Sequence, residues 1–184
     1  MRKGLKKLIL LLILFIILIS FIYLLIKTVI FPTKYSEIVE KAAKEYNVDP
    51  YLIYSVIKKE SNFKKHAISH SNAKGLMQIM DSTADDVVRN INTIPNKEYN
   101  IYDEYNNIYI GTKYLSELIT IYEGNMYLAI TAYNAGMGNV NKWIKEDLSY
   151  YDNMSKVLEI IKFQETKEYV IDVFRYYNIY KFIY

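Results

Sequence analysis

From Leu8 to Ile26 the chain reads LILLLILFIILISFIYLLI, nineteen residues without a charge. At about 1.5 Å of rise per residue, a helix of that length matches the roughly 30 Å hydrocarbon thickness of a bilayer. A stretch with no polar side to offer water cannot serve as the surface helix of a globule. It therefore reads as a transmembrane helix, and any globular fold must be built from the residues after it. Arg2, Lys3, Lys6 and Lys7 precede it with no acid among them, which places the N-terminus in the cytoplasm and sends the remainder outward. The run is longer than the core of a secretory signal, and the exit, KTVIFPTK, holds no small-x-small cleavage site; an uncleaved anchor is expected.

The expected division is residues 1–33 as basic flank and anchor, and residues 34–184 as one domain in the cell membrane's outer space, large enough for a proper core. The net charge of +3 belongs to the flank, because five basic residues lie within the first 27 positions. The remainder carries eighteen basic against twenty acidic side chains, so no basic face for nucleic acid is expected. Without cysteine there is no disulfide framework, no thiol nucleophile and no cysteine metal site.

Past Phe31-Pro32-Thr33 the apolar periodicity is helical nearly throughout. Ser36 is expected to cap a helix with Ile38, Val39, Ala42, Ala43 and Tyr46 on one side. Asp49-Pro50 pairs an N-cap with proline at the first helical position and starts a second helix. Polar, aperiodic Ser61–Lys74 reads as loop. Helices are expected over about Ser82–Asn90, Tyr105–Tyr122 and Met126–Asn134, with a loop around Pro95, Asn125 as a cap and Gly124 and Gly136 as stops. Lys156–Tyr180 reads as an amphipathic tail. No alternating strand, repeat or low-complexity tract is present, so the domain is expected to be all-α.

One acid is out of phase with this pattern. In VIKKESNF, Val56 to Phe63, the residues at one-turn spacings before Glu60 are Ile57, Val56 and Ile53, which puts the carboxylate on the apolar stripe. A carboxylate facing apolar surroundings loses hydration of its charged form, so its pKa rises and it can donate a proton near neutral pH. Glycoside cleavage needs such a donor for the leaving sugar oxygen. Phase alone leaves open the plainer reading that Glu60, at a helix end, turns to water as long acidic side chains usually do.

The acid has company: GLMQIM (Gly75 to Met80), AYNAG (Ala132 to Gly136) and ETKEYV (Glu165 to Val170) follow it in order. Together with the Glu60-Ser61 pair, these motifs resemble the soluble-type lytic transglycosylase (SLT) domain, a lysozyme-like family that cleaves bacterial peptidoglycan. The resemblance covers about Lys34 to Tyr184. It implies a lysozyme-like all-α fold, with Glu60 as catalytic acid and then base. Ser61 completes the pair that marks the acid and is expected among the substrate-binding residues of the cleft, and Ser69 matches the family serine near the reacting sugar. Gln78 and Met80 match cleft-lining positions. Tyr133 is expected beside the acid, with Asn134 following it, and Glu165 and Tyr169 close the far side of the cleft.

The implied reaction is cleavage of the bond between N-acetylmuramic acid and N-acetylglucosamine, ending in a 1,6-anhydromuramoyl product with no water consumed. Peptidoglycan strands are the implied substrate, with a secretion, conjugation or spore-related assembly as a further partner. Neither cofactor nor metal is expected. His66 and His70 are four apart, but HAISH lacks the glutamate of the zinc-protease pattern. Three departures from the family bear on loop rigidity: Asp81 and Met137 stand where proline is frequent, and His70-Ser71-Asn72 replaces a turn that more usually holds proline. Lys58 and Lys59 are expected to be solvated, and the Asn153-Met154-Ser155 glycosylation triplet is read as chance. Two other readings stand beside the leading one. In one, a lysozyme-type hydrolase uses Asp81, Asp85 or Asp86 to activate water; in the other, a peptidoglycan-binding module does no chemistry.

Overall fold

The apolar run forms α1 (Arg2–Leu25), which continues as a π-helical turn over Ile26–Ile30. Every residue from Gly4 to Leu25 is exposed, and Gly4–Ile30 is long and apolar enough to cross a membrane. The computed structural model describes residues 2–89 and 98–184, with side chains from Gly4 onward. The expected end of a helix at Asn90 and the loop around Pro95 lie outside the described residues. The chain divides into two units, Met1–Lys34 with Ile183, and Tyr35–Phe182 with Tyr184.

The second unit is all-α. Its first helix, α2 (Ser36–Tyr46), follows Tyr35 in a left-handed conformation, φ 62°. Ser36, expected as the cap, is instead the first residue of the helix, and Tyr35 takes the cap position. The buried stripe of Val39, Ala42 and Ala43 faces α5 (Glu104–Ile121), where Ser116 donates to the Tyr46 carbonyl at 2.7 Å. Between them in sequence runs α3 (Pro50–Ser61), started as expected: the Asp49 carboxylate accepts from the Tyr51 N–H at 2.8 Å and Pro50 takes the first helical position. Leu52 through Ile57 are all buried. Over these six residues α3 has no face left for water, as in a core helix.

After α3 the chain makes a loop pinned by two isolated antiparallel bridges, Ile68 with Lys74 and Lys74 with Ile79; among the described residues no strand forms. Helix α4 (Asp81–Val88) follows. Asn125 caps α6 (Met126–Ala135) by accepting from the Leu128 N–H at 3.1 Å, and Gly124 (φ 86°) and Gly136 (φ 80°) stand at the ends of α5 and α6. Beyond Gly136 come two elements with no expectation behind them, α7 (Met137–Trp143) and a 3-10 turn (Leu148–Tyr151). Both are too short to show a period. The expected tail is two helices, α8 (Met154–Ile160) and α9 (Gln164–Ile183), divided by extended residues from Ile161 to Phe163. Asn153 caps α8 through the Lys156 N–H, a structural reason for asparagine in the apparent glycosylation triplet.

One buried amide sets the position of the GLMQIM loop. Asn107 on α5 accepts from the Met77 N–H at 2.7 Å and donates to the carbonyls of Lys74 at 3.0 Å and Ile101 at 2.9 Å. Gly75 (φ 79°) lies directly against it: a Cβ there would come within 2.7 Å of the Asn107 Cγ and 2.9 Å of the Ile101 oxygen. Gly111, one turn along α5, lies under the Met77 side chain in the same way. Small residues and a fully used amide therefore lock this loop beside the last turn of α3.

Candidate active site

The last turn of α3 brings Glu60 to a cleft of about 400 Å³. Of the nine residues singled out above, Glu60, Ser69, Gln78, Met80, Tyr133, Asn134 and Glu165 line it; Ser61 and Tyr169 do not. Ser61 is buried, with its hydroxyl donating to the Leu76 carbonyl at 2.8 Å and lying 3.2 Å from that of Ile57. Successive helical residues project about 100° apart, so when Glu60 faces the cleft Ser61 must face the loop. It ties α3 to GLMQIM and offers nothing to a ligand.

Tyr169, buried on α9, donates its hydroxyl to Glu60 Oε1 at 2.6 Å. Tyr133 was the tyrosine expected beside the acid; it lies close enough to sense the Glu60 charge, but its hydroxyl donates to the Met77 carbonyl at 2.9 Å. The phenol that bonds the acid comes instead from the motif expected on the far side. Burial raises both phenols well above their ordinary pKa, so both are neutral hydroxyls.

Burial also pushes the Glu60 carboxyl up, to about 7, against the opposing pull of the Tyr169 hydrogen bond and the Lys59 charge. Lys59 is not solvated as expected. It pairs with Asp172 on α9 at 2.7 Å, and Asp172 also holds Arg175 at 2.9 Å, so the cation next to the acid in sequence is drawn onto another helix. Lys58 reaches Asn62. Desolvation dominates the balance, and Glu60 retains its proton well above the pH at which an exposed carboxyl loses it.

Replacing Tyr169 with phenylalanine removes a hydrogen bond that favours the charged carboxylate, so the Glu60 pKa rises further. If the reaction needs the protonated acid, the alkaline limb of the pH–activity profile moves upward in Tyr169→Phe, by roughly half a unit to one unit for a bond of about 1 kcal/mol. An unchanged or downward-shifted limb would contradict this arrangement.

The other cleft groups are partly occupied by the fold itself. Gln78, at φ 48°, donates both amide hydrogens to backbone carbonyls, Ala67 at 3.1 Å and Gly75 at 2.8 Å, so only its oxygen is left for a ligand. Ser69 accepts from the Ala73 N–H at 3.0 Å, bracing the loop while keeping a hydroxyl hydrogen to offer. Met80 is exposed, and Glu165 stands exposed in the first turn of α9. Phe163 and Thr166 also line the cleft, and sequence reasoning missed both. They flank Glu165 at the start of α9, a boundary hidden while the tail read as one continuous helix.

The remaining acids near Glu60 in sequence are turned elsewhere. Asp81 pairs with Lys74 at 2.6 Å, Asp85 accepts from Tyr99 at 2.7 Å, and Asp86 pairs with Arg89 at 3.0 Å. None lines the cleft, where the second carboxylate is Glu165. His66 leans on Tyr102 with ring centroids 5.8 Å apart. Among the described residues no group of three or more histidines and acids is placed to hold a metal. A second depression of about 410 Å³ lies by the α5–α6 turn and shares no residue with this cleft. Its acids, Glu123 and Asp152, are exposed, so the Glu60 cleft is the candidate active site.

A helical domain with one desolvated acid in the last turn of a buried helix, opening on a polar cleft, belongs to the lysozyme-like class. Within that class the chain is a member of the transglycosylase SLT domain family, whose family model matches residues 37–154. The membrane-bound lytic murein transglycosylase C of Klebsiella pneumoniae is 37% identical over 124 residues, 62% of this chain and 34% of that protein. Among solved structures, an inactive Glu-to-Gln mutant of the lytic transglycosylase Slt from Pseudomonas aeruginosa superposes with a TM-score of 0.73 at 32% identity, covering 82% of this chain and 24% of that one. The 70 kDa soluble lytic transglycosylase of Escherichia coli gives 0.71 at 30% identity, covering 83% of this chain and 25% of that one. The chain thus spans between a quarter and a third of the length of these relatives.

Proposed function

We propose that this protein is a membrane-anchored lytic transglycosylase that cleaves the β-1,4 bond between N-acetylmuramic acid and N-acetylglucosamine in peptidoglycan. Residues 1–33 form the cytoplasmic flank and anchor, and residues 34–184 form the catalytic domain outside the membrane. The observation that carries the reading is the Glu60 carboxyl, which lines a cleft, is hydrogen-bonded by Tyr169 and has its pKa raised by burial to about 7. The names of the relatives, membrane-bound and soluble lytic transglycosylases alike, support the substrate.

In this reading Glu60 gives its proton to the bridging oxygen as the muramoyl C1–O bond breaks. The departing N-acetylglucosamine leaves with a hydroxyl, and the substrate's own N-acetyl oxygen stabilises the cationic carbon. Glu60, now a carboxylate, takes the proton of the muramoyl C6 hydroxyl, and that oxygen bonds to C1. The proton count returns to its start and no water enters. An internal hydroxyl held near its target acts at an effective concentration of about 10⁵ M or more, so ring closure needs no second acid to activate water.

The test is the mass of the products released from purified sacculi by the full-length protein in detergent. Anhydromuramoyl ends, one water lighter than reducing ends, are expected. Reducing ends would overturn the ring closure and favour the hydrolase reading, with Glu165 as the acid left to activate water. Glycan retention without products from either the wild type or its variants would favour the binding module.

A further inference from the structure

The cleft contains an amide whose orientation is fixed from behind. Asn134, at the end of α6, lines the cleft, and its side-chain oxygen accepts a hydrogen bond of 2.7 Å from the hydroxyl of Thr166. Thr166 lies in the first turn of α9 and is only 3% exposed. A buried hydroxyl has one hydrogen and must place it on an acceptor; Asn134 Oδ1 is the acceptor it has. With the oxygen engaged, the free end of the amide is the NH₂ group, which donates to no acceptor among the described residues. Asn134 therefore faces a ligand as a donor. Gln78 has the opposite polarity, because both of its N–H groups are taken by backbone carbonyls and its oxygen is left.

We propose that Thr166 is a positioning residue that sets Asn134 as a hydrogen-bond donor to the acetamido carbonyl of an N-acetylated sugar, making the cleft selective against de-N-acetylated glycan. The sign of the discrimination follows from the chemistry. An acetamido group presents a carbonyl oxygen to the Asn134 NH₂, whereas a free amino sugar presents an ammonium, a donor facing a donor. A site built to hydrogen-bond a ligand group rejects the analogue that leaves that bond unmade. The inference rests on the glycan-cleaving reading of the site, but it concerns binding and not the chemistry at Glu60.

The test measures binding of two probes, a chitin hexasaccharide and the fully de-N-acetylated chitosan hexasaccharide, to the full-length protein in detergent by calorimetry. The Glu60→Gln background is used so that nothing is cleaved. That background is expected to favour the acetylated probe. Adding Thr166→Val leaves no hydroxyl to hold the amide, and the preference is expected to shrink by roughly 3- to 10-fold, the value of one hydrogen bond. Thr166→Ser retains the hydroxyl and restores the preference, an outcome that a merely structural role for the threonine methyl would not produce. Asn134→Asp keeps an acceptor for Thr166 but offers the ligand a carboxylate, and it is expected to turn the preference toward the ammonium probe. Equal loss of both probes in Thr166→Val, with no rescue by serine, would overturn the proposal. So would an unchanged preference in Asn134→Asp. Because no product is formed, reducing ends in the cleavage assay would reject the transglycosylase mechanism while leaving this result standing.

Discussion

Replacing Glu60 with glutamine is expected to reduce release of soluble fragments from sacculi by about 10³-fold, the scale of a lost general acid, while making the folded protein more stable at alkaline pH. Glutamine keeps an oxygen for the Tyr169 hydroxyl but has no proton to give. The stability gain follows from the raised pKa. Between the ordinary carboxyl value of 4.5 and about 7, the unfolded chain releases a proton that the folded protein retains. Stability therefore falls as pH rises through that window, and levels off above it. The penalty at alkaline pH is bounded by roughly 3 kcal/mol and reduced by the water that reaches the cleft. Glu60→Gln removes it, so its melting temperature should exceed that of the wild type by several degrees, on the order of 2–6 °C, at about pH 8, and match it near pH 4.5. Fragment release within tenfold of wild type, or melting curves offset equally at both pH values, would contradict this.

The second large effect is expected far from the acid. Asn107→Ala strips the Met77 N–H and the carbonyls of Lys74 and Ile101 of their partner in a fully buried place. Each buried group left unpaired costs about 1–3 kcal/mol, and a cavity adds to it. A loss of roughly 3–5 kcal/mol is expected, a fall of about 6–20 °C in melting temperature for a domain of this size. Asn107→Asp keeps the acceptor for Met77 but sets an acid against two carbonyls, and should be no better. A loss below about 1 kcal/mol in Asn107→Ala would mean that the GLMQIM loop is held by something other than this amide.

Local chemistry made most of the fold legible. Asp49-Pro50, Asn125, Gly124 and Gly136 mark helix ends through caps and left-handed turns that depend on few neighbours, and they stand where expected. What was hidden depends on tertiary contact. Nothing near Ile161 breaks a helix by propensity; the chain turns there with Ile161 buried and 2% exposed, and so divides α8 from α9. The helical phase placed Glu60 against apolar surroundings, and the family motifs named most of the cleft. The bond from Tyr169 spans 109 positions, beyond the reach of any periodicity. Lys59 was misjudged for the same reason: its partner Asp172 is 113 positions away. Ser61 shows the converse error, since a motif residue adjacent to the acid was credited with a cleft role that its helical angle forbids.

The claim on which the proposed mechanism depends is that the carboxyl at position 60 titrates far above the ordinary carboxyl range, so that a large share is protonated at neutral pH. Titration of the Glu60 carboxyl carbon by NMR, in full-length protein carrying labelled glutamate and assigned with Glu60→Gln, measures this directly. A midpoint near 7, rising in Tyr169→Phe, is the predicted result. A midpoint at or below 4.5, the ordinary carboxyl value, would contradict it.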